Sequence, residues 1–139
     1  ALGLASGALS GLVGITPAAG FVAPVPALVI DILTAVVCYF SVTKLKIMLK
    51  YDDSMDAFGI HGIGGMVGAV LTGVFVSTTI SGASVNWFAQ IEGIGITVLY
   101  SGIVSLVLLK IIDKTMGLRV DADEERQGLD ISSHGERIE

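Results

Sequence analysis

Asp52-Asp53-Ser54-Met55-Asp56-Ala57-Phe58-Gly59-Ile60-His61-Gly62-Ile63-Gly64-Gly65 sets three carboxylates at the mouth of an apolar run and a titratable imidazole just inside it. The 35 residues from 57 to 91 contain no Asp, Glu, Lys or Arg. Roughly 20 predominantly apolar residues cross the hydrocarbon of a bilayer as a helix, and soluble cores seldom need so many in sequence, so the stretch reads as membrane-embedded. His61 then lies within the bilayer. An ionisable side chain at that depth is costly and usually faces a pore or a protein partner, which makes it the first functional candidate in the chain.

Outward from this stretch, the composition agrees. Of 139 residues, 53% are hydrophobic and 15% charged, and the mean hydropathy is +0.81, values that fit an integral membrane protein better than a globular domain. The six bases of residues 1–120 (Lys44, Lys46, Lys50, Lys110, Lys114, Arg119) balance six acids (Asp31, Asp52, Asp53, Asp56, Glu92, Asp113), so the net charge of −5 belongs to residues 121–139. An acidic tail argues against nucleic acid and suits a solvated or protein-docking segment. Cys38, the single cysteine, makes no intrachain disulfide and reads as a small packing residue.

Four apolar segments are expected, at about 2–15, 27–49, 56–79 and 88–116, forming a transmembrane region over 1–120 followed by a tail over 121–139. The first is rich in Gly, Ala and Ser, which lets helix backbones approach closely. Its 14 residues are too few to span, and with Ala1 in first place and no basic stretch before the apolar residues, it reads as the end of a span begun upstream. Thr16-Pro17 and Pro24-Val25-Pro26 are expected to bound a turn, because proline removes a donor and disfavours a helical residue before it. Lys44, Lys46 and Lys50 mark a cytoplasmic exit. Segment three then rises from the cytoplasm, residues 81–84 form an outside loop, and Lys110, Lys114 and Arg119 return the C-terminus to the cytoplasm.

Asp52, Asp53 and Ser54 suit the unpaired amides and the positive dipole end of a starting helix, and Asp56 serves the same purpose or orients a neighbour. Gly59, Gly62, Gly64, Gly65, Gly68 and Gly73 strip much of segment three of side chains, which close packing or a passage would explain. Gly64 and Gly68 also form a G-x-x-x-G pair, on its own a weak sign of helix contact. His61 on this helix points to a narrow, protein-lined space. The residues alone leave open a histidine that is hydrogen-bonded between helices for structure only.

The block Ile15-Thr16-Pro17-Ala18-Ala19-Gly20-Phe21-Val22, the block 52–65, and the tail pattern Gly117-Leu118-Arg119-Val120 through Gly128-Leu129-Asp130 to His134-Gly135-Glu136 resemble the C-terminal part of the Amt/Mep ammonium transporters, in that family's order and spacing. Related Rhesus-type channels share the pore-histidine region but not this tail. The resemblance implies an all-α, polytopic transmembrane bundle, a homotrimer of subunits with about eleven helices built as inverted repeats. The present chain would be a fragment holding the end of helix eight, helices nine to eleven and the tail. It implies ammonium or ammonia as the substrate, taken up across the cell membrane. His61 matches the pore histidine of helix ten, whose partner on helix five would lie upstream, and Ala57 matches a pore-wall position.

The tail residues Gly117, Arg119, Gly128, Asp130, Ser132 and His134 match a docked regulatory tail by the same resemblance. Relatives in bacteria and archaea are blocked by a PII signal protein at the cytoplasmic face, and in plants a hydroxyl matching Ser132 is phosphorylated. Alternatives of other classes are an ammonium sensor of the same fold and a non-transporting structural subunit. An enzyme is not expected, nor a cofactor or a metal, since no second histidine lies in the membrane and no Cys/His/Asp group has ligand spacing. Asp31 in segment two and the ending Arg137-Ile138-Glu139 depart from the family pattern. Asp31 is expected to be interhelical or water-exposed, and Glu92, which resembles a family residue, is expected to be structural.

Overall fold

Among the described residues, three helices are long and apolar enough to cross a membrane: Pro24–Leu49, Phe58–Phe75 and Trp87–Thr115. The computed structural model describes residues 2–136, so Ala1 and the ending Arg137-Ile138-Glu139 lie outside it. No strand occurs among the described residues. The chain divides into two units, the first ending at Ile96 and the second beginning at Thr97.

In the first unit, α1 spans Leu2–Ile15; at 1.5 Å per residue it is about 21 Å long, short of the roughly 30 Å of hydrocarbon. It closes in a 3₁₀ turn at Thr16–Ala18, where Pro17 has no amide to continue the ladder. Gly20 then adopts φ +81°, a region open to glycine, and reverses the chain. The prolines that follow do not lie outside the next helix. α2 runs Pro24–Leu49 with Pro24 at its first position and Pro26 inside the first turn. The first amides of a helix have no intrahelical acceptor, so proline costs nothing there and its fixed φ favours the start.

α2 widens into a π-turn at Ser41–Leu45 and finishes with Lys46–Leu49, capped by Lys50 at φ +53°. α3, Phe58–Phe75, begins with a second π-turn at Phe58–Gly62. It stops at Val76, where ψ swings to 133°, earlier than the segment expected to reach residue 79. A single turn, α4 (Thr78–Ser81), follows, and the Ser77 amide donates to the Phe21 carbonyl at 2.8 Å, pinning the end of α3 to the turn after α1. α5, Trp87–Thr115, starts with Asn86 accepting the Ala89 amide at 3.1 Å, and none of its residues is buried.

The core of this unit lies where α1, α2 and α3 meet. Ile30, Thr34, Cys38 and Ser41 recur at near-helical spacing along α2 and are buried, as are Ser10 and Gly14 of α1, Ala18 of the 3₁₀ turn, and Gly59, Ile60, Gly64 and Gly68 of α3. Glycine makes the approach possible. A Cβ on Gly68 would overlap the Gly14 carbonyl oxygen and stand 2.9 Å from its carbon, and one on Gly14 would fall 2.6 Å from the Thr34 Cβ. A Cβ on Gly64 would meet the Cys38 sulfur at 3.0 Å. Asp31 is half-buried in α2 next to Gly11, with one carboxylate oxygen buried and without a hydrogen-bond partner among the described residues. Glu92 is exposed on α5.

The second unit holds the remainder of α5 and the tail. Gly117 turns the chain at φ +80°, its amide donating to Ile112 at 3.2 Å. Two short helices follow, α6 (Ala122–Gln127) and α7 (Leu129–Ser132), separated by Gly128 at φ +94°.

Candidate functional site

Two faces of α3 have opposite surroundings. Gly59, Ile60, Gly64 and Gly68 are buried against α1 and α2, whereas Ala57 and His61 are exposed. Gly65, one turn beyond His61, has no atom within 4 Å of where its Cβ would stand. Ala57, His61 and Gly65 thus line an open stripe along the helix, with the imidazole in the middle and small residues above and below it. Among the described residues no side-chain hydrogen bond engages His61. The glycines expected to pack therefore divide: Gly64 and Gly68 sit in helix contacts, a Cβ on Gly62 would fall 3.0 Å from the Phe58 ring, and Gly65 borders open space.

The carboxylates before α3 divide as well. Asp53 Oδ1 accepts the Ala57 amide and Oδ2 the Phe58 amide, both at 2.9 Å, so one side chain satisfies two of the unpaired donors of the helix start. Asp56 does not cap in this way. Its carboxylate Oδ1 accepts Lys46 Nζ at 2.6 Å, its carbonyl accepts the Ile60 amide at 2.9 Å, and its backbone stands at φ +56°. A non-glycine residue there costs on the order of 1 kcal/mol or more and persists only where its surroundings hold it. Lys46 also donates to the Asp53 carbonyl oxygen. Asp52 is exposed in the same loop.

Sequence reasoning placed Lys46 only among the bases marking a membrane exit and missed its part in this loop. A signal did exist, in a lone acid-rich loop of eight residues between two helices with a lysine one turn before it. The two π-turns left none, since apolar and glycine-rich residues fit either helix type. They are adjacent in space: a Cβ on Gly59 would fall 2.9 Å from Val42 and 3.3 Å from the Ser41 hydroxyl. Such turns are rare and concentrate at functional sites.

A concavity of about 370 Å³ lies at the far end of α3 and is lined by Phe21, Thr72, Gly73, Val85, Asn86 and Gln90 among others, with no charged side chain. Trp87 packs its ring edge over Gly73 there.

In the tail, Arg119 pairs with Glu125 at 2.8 Å and Arg126 with Asp123 at 3.8 Å, both exposed. Exposed pairs of this kind contribute about 0–1 kcal/mol and are screened by salt. Ser132 is half-buried and its hydroxyl donates to the Gly128 carbonyl at 3.1 Å. Asp130 is exposed with its carbonyl accepting the Glu136 amide at 2.8 Å, and His134 is exposed.

The family described as Ammonium Transporter Family matches residues 1–138. An ammonium transporter of Bacillus subtilis (strain 168) is 43% identical over 146 residues, covering 98% of this chain and 36% of its own length. One of Aquifex aeolicus (strain VF5) is 44% identical over 143 residues, covering 98% and 34%. Among solved structures, Candida albicans Mep2 superimposes with a TM-score of 0.75 at 33% identity over 87% of this chain and 30% of that one. The chain spans about a third of the length of the curated relatives it matches.

Proposed function

Because the chain belongs to the ammonium transporter family, we propose that it supplies the His61 wall of a narrow apolar pathway through which ammonium is taken up. The observation that carries the proposal is the open stripe of Ala57, His61 and Gly65, which leaves the imidazole on the side of α3 that α1 and α2 do not occupy. A histidine retained only to join α1, α2 and α3 would be turned toward their contact, whereas His61 is exposed on the other face of α3.

The chemistry suits an imidazole. Moving the full charge of ammonium into an apolar tube carries a large desolvation cost. Loss of a proton at the pathway's entrance leaves ammonia, which crosses readily, while the proton passes separately. Neutral imidazole accepts a hydrogen bond at one ring nitrogen and donates at the other, so His61 both solvates ammonia and hands a proton on. Following the family pattern, a second histidine from the inverted half of the full-length subunit completes the relay. Ala57 keeps the passage narrow and apolar. The subunits form a homotrimer in the cell membrane with the tail in the cytoplasm, where the tail regulates transport and a PII-type protein docks.

The test is His61→Ala in the full-length transporter, reading ammonium-evoked current beside labelled methylammonium uptake. The substitution abolishes the current or uncouples it from uptake. Unchanged currents with unchanged uptake would sink the assignment.

A further inference from the structure

Lys46 ties together two helices that are otherwise joined through an eight-residue loop, the end of α2 and the first turn of the helix that carries His61. We infer that Lys46 is a positioning residue for the pore helix, a latch that sets where His61 stands. The inference rests on the reading of His61 as a pore residue.

Three observations converge on the lysine. The π-turn at Ser41–Leu45 inserts an extra residue into α2 and so rotates everything after it by about 100° relative to a continuous α-helix. Lys46, the first residue beyond that turn, is thereby aimed at the following loop. Lys44 instead lies over the Phe40 ring, with its ammonium 5.0 Å from the centroid, and Lys50 is exposed as the helix cap. Second, Lys46 Nζ reaches both ends of one short segment, the Asp53 carbonyl and the Asp56 carboxylate. Third, everything that starts α3 depends on that segment. The Asp53 carboxylate holds the amides of Ala57 and Phe58, and the Asp56 carbonyl holds the amide of Ile60, the residue before His61. Asp56 keeps its left-handed backbone because the carboxylate is tied down; released, it relaxes toward φ < 0 and turns the helix start with it.

The pair is not a solvent-facing ornament. Lys46 and Asp56 expose only 27% and 26% of their side chains, so their attraction is less screened than that of the tail pairs. Gly59, Gly64 and Gly68 hold the body of α3 against α2 and α1, and Lys46 fixes the loop from which its first turn starts. Relay by hydrogen bonds tolerates little shift of that turn, because transfer needs heavy atoms within about 2.6–3.2 Å of one another.

The test uses the full-length transporter reconstituted in liposomes, with transport normalised to folded trimer. Lys46→Met keeps the apolar stem and removes the charge; Lys46→Arg keeps the charge; Asp56→Asn weakens the other side. Lys46→Met is expected to lower the maximal rate about tenfold or more while half-saturation moves less than about threefold, the range a displacement near 1 Å produces. Asp56→Asn falls in the same direction, the double variant is no slower than the slower single, and Lys46→Arg recovers part of the rate. If Lys46→Met lowers only the yield of trimer and leaves the rate per trimer unchanged, the latch is overturned. Should that variant fail to fold, Asp56→Asn and Lys46→Arg decide the matter, and native rates in both overturn it. His61→Ala runs alongside. If it leaves transport unchanged, the pore reading itself falls; if it alters transport while the Lys46 and Asp56 variants do not, only the latch does.

Discussion

Gly68→Ala is the sharpest perturbation of this fold, because it adds one methyl group where two backbones touch. The new Cβ would overlap the Gly14 carbonyl oxygen, with the carbonyl carbon at 2.9 Å and the Gly14 Cα at 3.0 Å. Carbon atoms in ordinary contact stand about 3.5–4.0 Å apart, so α1 and α3 must separate by at least about half an ångström. Every atom met is backbone, and no side chain can swing aside. Overpacking costs about 1–3 kcal/mol where neighbours can adjust, so the upper end applies here, near 3 kcal/mol. Alanine's better helix propensity returns about 0.5–1 kcal/mol, leaving a net loss of about 2 kcal/mol. Gly65→Ala, three residues earlier on the same helix, meets nothing within 4 Å and gains the propensity term alone. The two variants should therefore differ by about 3 kcal/mol in opposite directions. Reversible unfolding in mixed detergent micelles, followed by helical circular dichroism, measures both. Equal stability of the two, or a more stable Gly68→Ala, would refute the close backbone contact.

Asp53→Ala should destabilise by about 1 kcal/mol, and up to about 2, by leaving the Ala57 and Phe58 amides unpaired, while Asp53→Asn keeps most of the cap; in the same unfolding assay, an Asn variant as weak as the Ala variant would count against capping. Gly14→Ala should be destabilising and rescued by Thr34→Gly but not by Thr34→Ala, since the Thr34 Cβ itself would stand 2.6 Å from the new methyl group. Cys38 is buried between α2 and α3 at 1% exposure, so a maleimide should label it slowly in native micelles and fully in denaturing detergent, as a mass shift would show. Deleting residues 118–139 should change the transport kinetics of the trimer, and wild-type kinetics after deletion would separate the tail from regulation.

Much was legible along the chain because a bilayer reads residues locally. A span needs an uncharged run of sufficient length, whatever it packs against, so the run from 57 to 91 and the lysine-bearing ends of the apolar segments already declared helices for a membrane. The imidazole inside that run declared itself by the cost of its surroundings. The three blocks that carry the family resemblance likewise needed no coordinates.

Pairing across helices was not legible, because it depends on azimuth and on atoms distant in sequence. Six glycines in segment three look alike in the chain, yet Gly64 and Gly68 face α1 and α2 while Gly65 faces open space. Three aspartates look alike too, yet Asp53 takes two amides and Asp56 a lysine ten residues back. The π-turns at Ser41–Leu45 and Phe58–Gly62 account for part of this. Each inserts a residue and shifts the phase of everything beyond it, so a 3.6-residue period carried through them assigns faces wrongly. Length and polarity, which sum along the sequence, determined that the chain belongs in a membrane; the facing of His61, the helix contacts and the grip of Lys46 were decided only when the helices closed on one another.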